Sequence, residues 1–276
     1  VEITLLGGFS VAVDGTTTSP RGWARRSGAA LVKILALAPG HRLHRERVMD
    51  LLWPDELPER CAPRLHKAAH FAREAACHDD AVVLRGDVVR LFPSSQITVD
   101  VVRFEELARA AVAGDRSAAR EALAWYRGEL LPDDRYEPWA TDRRELLHLR
   151  RLDVLRVAGE WRELTELDPT HEQAHVELMR WYAARGDVAA AFQQYTHLER
   201  VLERELGVEP GEAARRALRE VRAGRSERPA SPEAASPRVG ELLAELADLV
   251  SRQSALLAEL AGAGASPVAL VPAGRR

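Results

Sequence analysis

The stretch LHKAAHFAREAAC, residues 65–77, sets His66 and His70 four apart, with Cys77 seven further on. On a helix turning about 100° per residue these side chains fall within about 40° of one another, a spacing that can hold a metal ion. Zinc-protease chemistry needs a glutamate directly after the first histidine, and Lys67 stands there instead. His70 and Cys77 are also roughly 10 Å apart along the axis, too far to share one ion with His66. We therefore expect neither a metal nor a cofactor, and read Cys77 as a helix-end residue. Two uses remain for this helix: a packed core face, and a face that touches a partner.

The residues divide accordingly. Leu65, Ala68, Ala69, Ala72, Ala75 and Ala76 gather on one side, the expected core. The other side carries Arg64, His66, Lys67, His70 and Arg73, with Arg60 just before. Residues 60–73 hold four Lys/Arg and no acid, whereas residues 1–100 together hold 13 basic and 12 acidic residues, a net of +1. A basic helix of this width fits the DNA major groove, where Arg and Lys reach guanine edges and phosphates and histidines donate ring N–H groups. A solvated basic surface would carry the same charges. Position favours DNA, because this is the third helix of its run and precedes a hairpin.

The elements that must place this helix follow from periodicity. Residues 2–18 form short apolar pieces broken at Gly7-Gly8 and Asp14-Gly15, a small antiparallel sheet. RRSGAALVKILALAPG keeps Ala30, Leu31, Ile34, Leu35 and Ala38 on one helical stripe and stops at Pro39-Gly40. In HRLHRERVMDLLWP, Val48, Leu51 and Leu52 keep helical spacing and Pro54 ends the helix. The third helix spans about 59–77. AVVLRGDVVRLF then reads as a hairpin turning at Arg85-Gly86-Asp87. Sheet, three helices and hairpin make a winged helix-turn-helix. Arg85 and Arg90 flank the turn, where a wing reaches the minor groove or the backbone.

From Asp100 onward the pattern is helical. In VELMRWYAARGDVAAAFQQYTHL, Leu178, Tyr182, Gly186, Ala191 and Tyr195 sit at the offsets of a tetratricopeptide (TPR) helix pair. Gly186 turns the chain and Ala191 lets the helices approach. The expected fold is mainly α with a small β component. It comprises a winged-helix DNA-binding domain at 1–100, a TPR-like α-solenoid domain at 101–224, a Pro/Ser/Ala-rich linker at 225–238, an amphipathic helix at 239–262 and a flexible tail at 263–276. Val239, Leu242, Leu246, Leu249, Leu256 and Leu260 take a and d positions of about three heptads, too few to stand alone. We expect that stripe to self-associate or to pack on a partner protein.

Composition narrows the function classes. With 276 residues, 46% hydrophobic and 29% charged, the chain can bury cores in two domains. A net charge of −3 excludes a uniformly basic nucleic-acid binder and requires a local patch. Two cysteines, Cys61 and Cys77, exclude a disulfide framework and fit a reducing cytoplasm. VEITLLGGFSVAVDG lacks secretory features, and no apolar run approaches the roughly 18 residues of a membrane span. Asp133-Asp134 and Glu137, in LLPDDRYEPWA, are acidic but have no nucleophile or base pattern beside them. We read that stretch as a helix-entry loop, and the chain as no enzyme.

LLGGFSVAVDG, ALVKILALAPGHRLHRERVMDLLWPD, LHKAAHFAREA, YRGELLPDDRYEPWA and LERVLERELGVEPGEAARRAL, in this order, resemble the SARP-type bacterial transcriptional activators. That family joins an OmpR-type winged-helix domain to a bacterial transcriptional activator domain of TPR-like helices, and the match spans about residues 2–224. The resemblance implies sequence-specific binding of double-stranded promoter DNA, often at direct repeats, recruitment of RNA polymerase, and a nucleoid-associated location. It also suggests that the connection WPDELPE, with Asp55, Glu56 and Glu59, faces RNA polymerase; a solvated acidic loop is the alternative. The chain departs from the family in several ways. It lacks the GxxxxGK[ST] of an NTPase module. Pro63 is tolerable only in the first turn of its helix. Ala69 and Ala72 replace larger apolar residues, so shallow packing is expected. RVAGEWRELTELDPTHEQAH is shortened by about one short helix relative to the family's repeats. Pro63, the alanines and the near-neutral charge of 1–100 support a rival reading: a TPR-like protein-interaction scaffold whose winged helix no longer binds DNA.

Overall fold

The computed structural model describes residues 1–18, 23 and 25–227. The opening alternation becomes β1 (Glu2–Thr4), β2 (Ser10–Val13) and β3 (Thr16–Thr17). Ile3 and Val11 stand opposite each other and are both buried, so the β1–β2 register is fixed by the side that faces the core. Three helices follow: α1 (Arg26–Leu37), α2 (Arg45–Leu52) and α3 (Pro58–Ala76). Between α1 and α2 lies β4 (Arg42–His44), which the sequence reading missed. The wing hairpin is β5 (Val82–Arg85) and β6 (Val88–Leu91), and β4 joins it as an antiparallel sheet of order β4-β6-β5. Gly86 turns the hairpin at φ +60°.

A second unforeseen strand, β7 (Thr98–Val99), runs parallel to β1 and completes the sheet β3-β2-β1-β7. The next residue, Asp100, opens α4 (Asp100–Val112). Its carboxylate accepts the N–H of Leu5 at 2.8 Å, of Leu6 at 2.8 Å and of Val101 at 2.8 Å. Burial pushes this carboxyl up, against the pull of those three donors. The start of the chain is thereby tied to the first helix of the following part.

The α1–α3 contact corrects two expectations. The alanines of α3 do not make it shallow. A Cβ on Gly28 of α1 would stand 3.1 Å from the Ala72 nitrogen and 3.1 Å from the Phe71 Cβ, so the two helices meet nearly backbone to backbone. Ala68, Ala69 and Ala72 are fully buried there. Small residues shorten the separation between these helices. Pro63, in turn, lies outside the first turn, because α3 begins at Pro58. It removes one helical N–H in the second turn, and its exposed position leaves the freed carbonyl to water.

Helices α5 (Arg116–Trp125), α6 (Pro138–Ala158), α7 (Trp161–Leu167), α8 (Glu172–Ala184), α9 (Val188–Leu206) and α10 (Glu212–Glu227) complete the described chain. Glu137 and Pro138 begin α6, as read from the helix-entry loop. The shortened stretch holds the brief α7. Gly186, at φ +79°, turns α8 into α9, and Ala191 is fully buried in the pair, the TPR-like arrangement. Asp187 caps α9, accepting the Ala190 N–H at 3.0 Å. His175 is also fully buried on α8. Its Nε2–H donates to the Pro169 carbonyl at 3.0 Å, and Gln194 Nε2 donates to its Nδ1 at 2.7 Å. Burial holds this imidazole below its ordinary value.

Val1–Val221 form one compact unit. One hydrophobic cluster runs from Ile3 and Leu5 through α1 and α3 to Phe104, Leu130 and Leu147. Leu131 N–H donates to the Leu5 carbonyl and Gly7 N–H to the Glu129 carbonyl, each at 2.9 Å. There the backbones nearly touch, since a Cβ on Gly128 would stand 2.8 Å from the Gly7 Cα. The molecule is thus mainly helical, a winged helix-turn-helix followed by TPR-like helices. No helix among the described residues is long and apolar enough to cross a membrane. Residues 225–227, expected to open the linker, are instead the last residues of α10; the rest of the expected linker, the amphipathic helix and the tail lie outside the described residues from residue 228 onward.

Candidate nucleic-acid interface

With the alanine side of α3 packed inward, the basic residues are left outside. Arg60, His66, Lys67 and His70 are all exposed, as are Arg85 and Arg90 on the wing. Phe71, half-buried at the helix margin, organises part of this face. Lys67 Nζ lies 5.7 Å from its ring centre, and the guanidinium of Arg25 lies 5.2 Å from it. Arg25 precedes α1, and the sequence reading gave it no role. Only the tertiary contact brings it to α3.

Two of the expected contacts are engaged within the protein. Arg73 is half-buried, and its Nη1 donates to the Val82 carbonyl at 2.8 Å, which ties α3 to β5. Arg64 pairs with Glu56 of the α2–α3 connection and stacks on the Trp53 ring, 4.5 Å from its centre. The hydrogen bond from Arg64 holds the Glu56 carboxyl below the usual carboxylate range. A residue expected to touch DNA is thus joined to one expected to face polymerase. Asp55 stays exposed on the same connection, whereas Glu59, expected in that loop, is exposed in the first turn of α3. Glu74, which the charge count over 60–73 did not include, is also exposed on α3. Cys77 closes α3 in the left-handed region at φ +50°, a helix-end role.

The acidic loop 133–137 has a structural partner that sequence reasoning missed. Lys33, on the predicted core helix α1, is 7% exposed, and its Nζ pairs with Asp134 at 2.5 Å while lying 4.6 Å from the Phe9 ring centre. Arg144 of α6 holds the same loop, with Nε donating to the Leu130 carbonyl at 3.1 Å and Nη2 to the Asp134 carbonyl at 3.3 Å. A lysine within an apolar helical run was the available signal. Such a residue needs a partner acid when buried.

Residues 154–222 match the family of the bacterial transcriptional activator domain. No curated protein sequence matches the chain. A solved structure, Mycobacterium tuberculosis EmbR in complex with a low affinity phosphopeptide, is similar in fold with a TM-score of 0.58 and 22% sequence identity. That likeness covers 89% of this chain and 70% of the EmbR chain. The similarity is therefore to a bacterial transcriptional activator domain in the sequence of 154–222, and to EmbR in fold over most of the chain's length.

Proposed function

We propose that this protein is a sequence-specific DNA-binding transcriptional regulator of the SARP type, with an OmpR-type winged helix at 1–100 and an activator domain of TPR-like helices at 101–224. The observation that carries the reading is the two-sided character of α3. Its inner side is alanine-packed on α1, and its outer side exposes Arg60, His66, Lys67 and His70 beside a basic wing. In this reading α3 enters the major groove of promoter DNA and Arg85 and Arg90 meet the adjacent minor groove or backbone. Arg64 reaches the duplex only by leaving Glu56, and Arg73 fixes α3 to the wing sheet. The connection holding Asp55 and Glu56, with Glu59 in the adjoining first turn of α3, faces RNA polymerase, which the protein recruits as an activator at promoter repeats. The concave side of the helical domain receives proteins and is not catalytic. Such a regulator works in the cytoplasm, at the nucleoid.

A gel-shift assay on the gene's own upstream region tests the DNA reading. A salt-sensitive, sequence-selective complex is expected, weakened by Lys67→Ala. A reversal of Asp55 and Glu56 to lysine is expected to keep promoter affinity and lose transcription. One observation favours the scaffold reading: Arg64 and Arg73 are both engaged within the protein, while Pro63 and Glu74 are exposed on α3. Absence of a complex at low salt, with a folded protein, would select that alternative.

A further inference from the structure

The register of the wing sheet separates two faces. Leu43, Val89 and Leu84 align across it, as do Leu91 and Val82, and this face is inward, with Val82 and Val89 fully buried. The opposite face has two rows, Arg42–Arg90–Val83 and His44–Val88–Arg85. Its six positions hold three arginines, one histidine, two valines and no carboxylate. Arg42, His44, Arg85 and Arg90 are all exposed. The acids beside them are Glu46, whose Oε2 lies 3.8 Å from His44 Nδ1, and Asp87 in the turn. Arg42 and Arg90 are direct cross-strand partners, and like charges placed so destabilise a strand pair. Among the described residues neither is ion-paired with a carboxylate.

We infer that this outer face is a second anion-binding surface, and that its partner is the phosphate backbone of duplex DNA beyond the stretch read by α3. The inference rests on the DNA-binding reading above and adds Arg42 and His44 of β4 to it. Three features favour DNA over an acidic protein. Guanidinium groups match phosphate geometry in a bidentate way. The two rows lie roughly 7 Å apart along the strands and form a track that runs into the wing turn at Arg85. The face offers no large apolar or aromatic anchor of the kind that carries a protein interface. A polyanion laid across it would also relieve the Arg42–Arg90 repulsion.

The test uses the full chain and a mixed-sequence duplex, with affinity measured between about 50 and 200 mM salt. Arg42→Gln is expected to make the plot of log affinity against log salt shallower by about 0.9, so that about 3.5-fold of the salt-driven loss across that range disappears. Arg42→Gln with Arg90→Gln should remove about twice that slope. Because each change removes a like charge, the melting temperature should hold or rise. An unchanged slope in Arg42→Gln, with wild-type binding intact, would overturn this inference alone; an unchanged slope in the double variant would also remove Arg90 from the wing contact of the parent reading. A melting temperature that falls with the affinity would assign these arginines to the fold and overturn it as well. Loss of binding to polyglutamate with the DNA slope preserved would replace DNA by an acidic protein. A wild-type chain with no salt-dependent DNA binding would overturn the parent reading together with this one.

Discussion

Helices α3 and α9 are both 19 residues long and both pack through alanine. On α3, Ala72 stands against Gly28 of α1, and Ala68 and Ala69 are buried beside it in sequence; on α9, Ala191 packs in the cluster shared with α8. The inner logic is the same, since small residues let backbones approach. The outer faces differ. Residues 60–73 of α3 carry four Lys/Arg and no acid, with Glu59 and Glu74 only at the ends of that run, whereas α9 interleaves Glu199, Glu203 and Glu205 with Arg200 and Arg204. A mixed-charge surface solvates a structural helix, while a one-signed run attracts an opposite charge. Packing therefore makes the two helices alike, and surface charge assigns them different work.

Overpacking breaks this comparison most forcefully. Ala72→Leu and Ala191→Leu should each cost about 1–3 kcal/mol of stability, read from urea unfolding. DNA affinity should separate them. The first displaces α3 from α1 and loses binding, while the second leaves binding intact in the molecules that remain folded. An unaltered stability for Ala191→Leu would refute the α8–α9 pairing. Full DNA affinity in Ala72→Leu would mean that the seat of α3 on α1 does not govern the interface.

Pro63 sharpens the contrast, because α9 has no proline. Pro63→Ala restores an N–H in the second turn of α3 at an exposed site. It should raise stability by about 1–2 kcal/mol, less than the full interior penalty because the position is near the helix start. Thermal unfolding should show the gain. A loss would mean that the chain before Pro63 does not favour helix.

The same contrast explains what the sequence could show. Periodicity located α3, the Arg85-Gly86-Asp87 turn located the wing hairpin, and the tetratricopeptide offsets located the α8–α9 pair, because each is a local pattern. β4 and β7 escaped because they are three and two residues long and pair with strands far along the chain. Their side chains took the Arg42 and His44 face with them. Lys33 was legible only as an oddity; its partner Asp134 lies 101 residues away. The pairing of Arg64 with Glu56 joins residues whose types were read correctly but separately. Local order was readable, and long-range charge pairing was not.

Acid should act first on the α8–α9 side. Folding depresses the pKa of buried His175 below its ordinary 6.5. A group of this kind contributes stability that is present above the unfolded value and is lost as pH falls from there toward the folded value. The urea midpoint of the wild type should therefore fall as pH drops below the ordinary histidine value of 6.5. His175→Gln should lower stability at pH 7, because the fitted ring is lost, but show a flatter pH profile. An equally steep profile in the variant would assign the acid sensitivity to other groups.

The smallest expected effect concerns Glu56, and it bears most directly on how α3 differs from α9. On α9 the pair Arg204–Glu205 is part of a mixed-charge surface, and nothing is gained by opening it. On α3, Glu56 occupies a cation that a DNA phosphate would otherwise meet, and it places a negative charge beside a polyanion. Both effects oppose binding. Because both side chains are exposed to solvent, which screens their attraction, the pair is worth little. Glu56→Gln should therefore tighten DNA binding about two- to fivefold at low salt, with the gain shrinking as salt screens it. If Arg64 then meets a phosphate, the salt slope steepens by about 0.9. The double variant Glu56→Gln, Arg64→Gln should lose that added slope. Tighter binding that persists in the double variant would mean that the benefit comes only from removing an acid near DNA. Weaker binding in Glu56→Gln would mean that the carboxylate holds Arg64 ready for the duplex, and the pair would then be a positioning device.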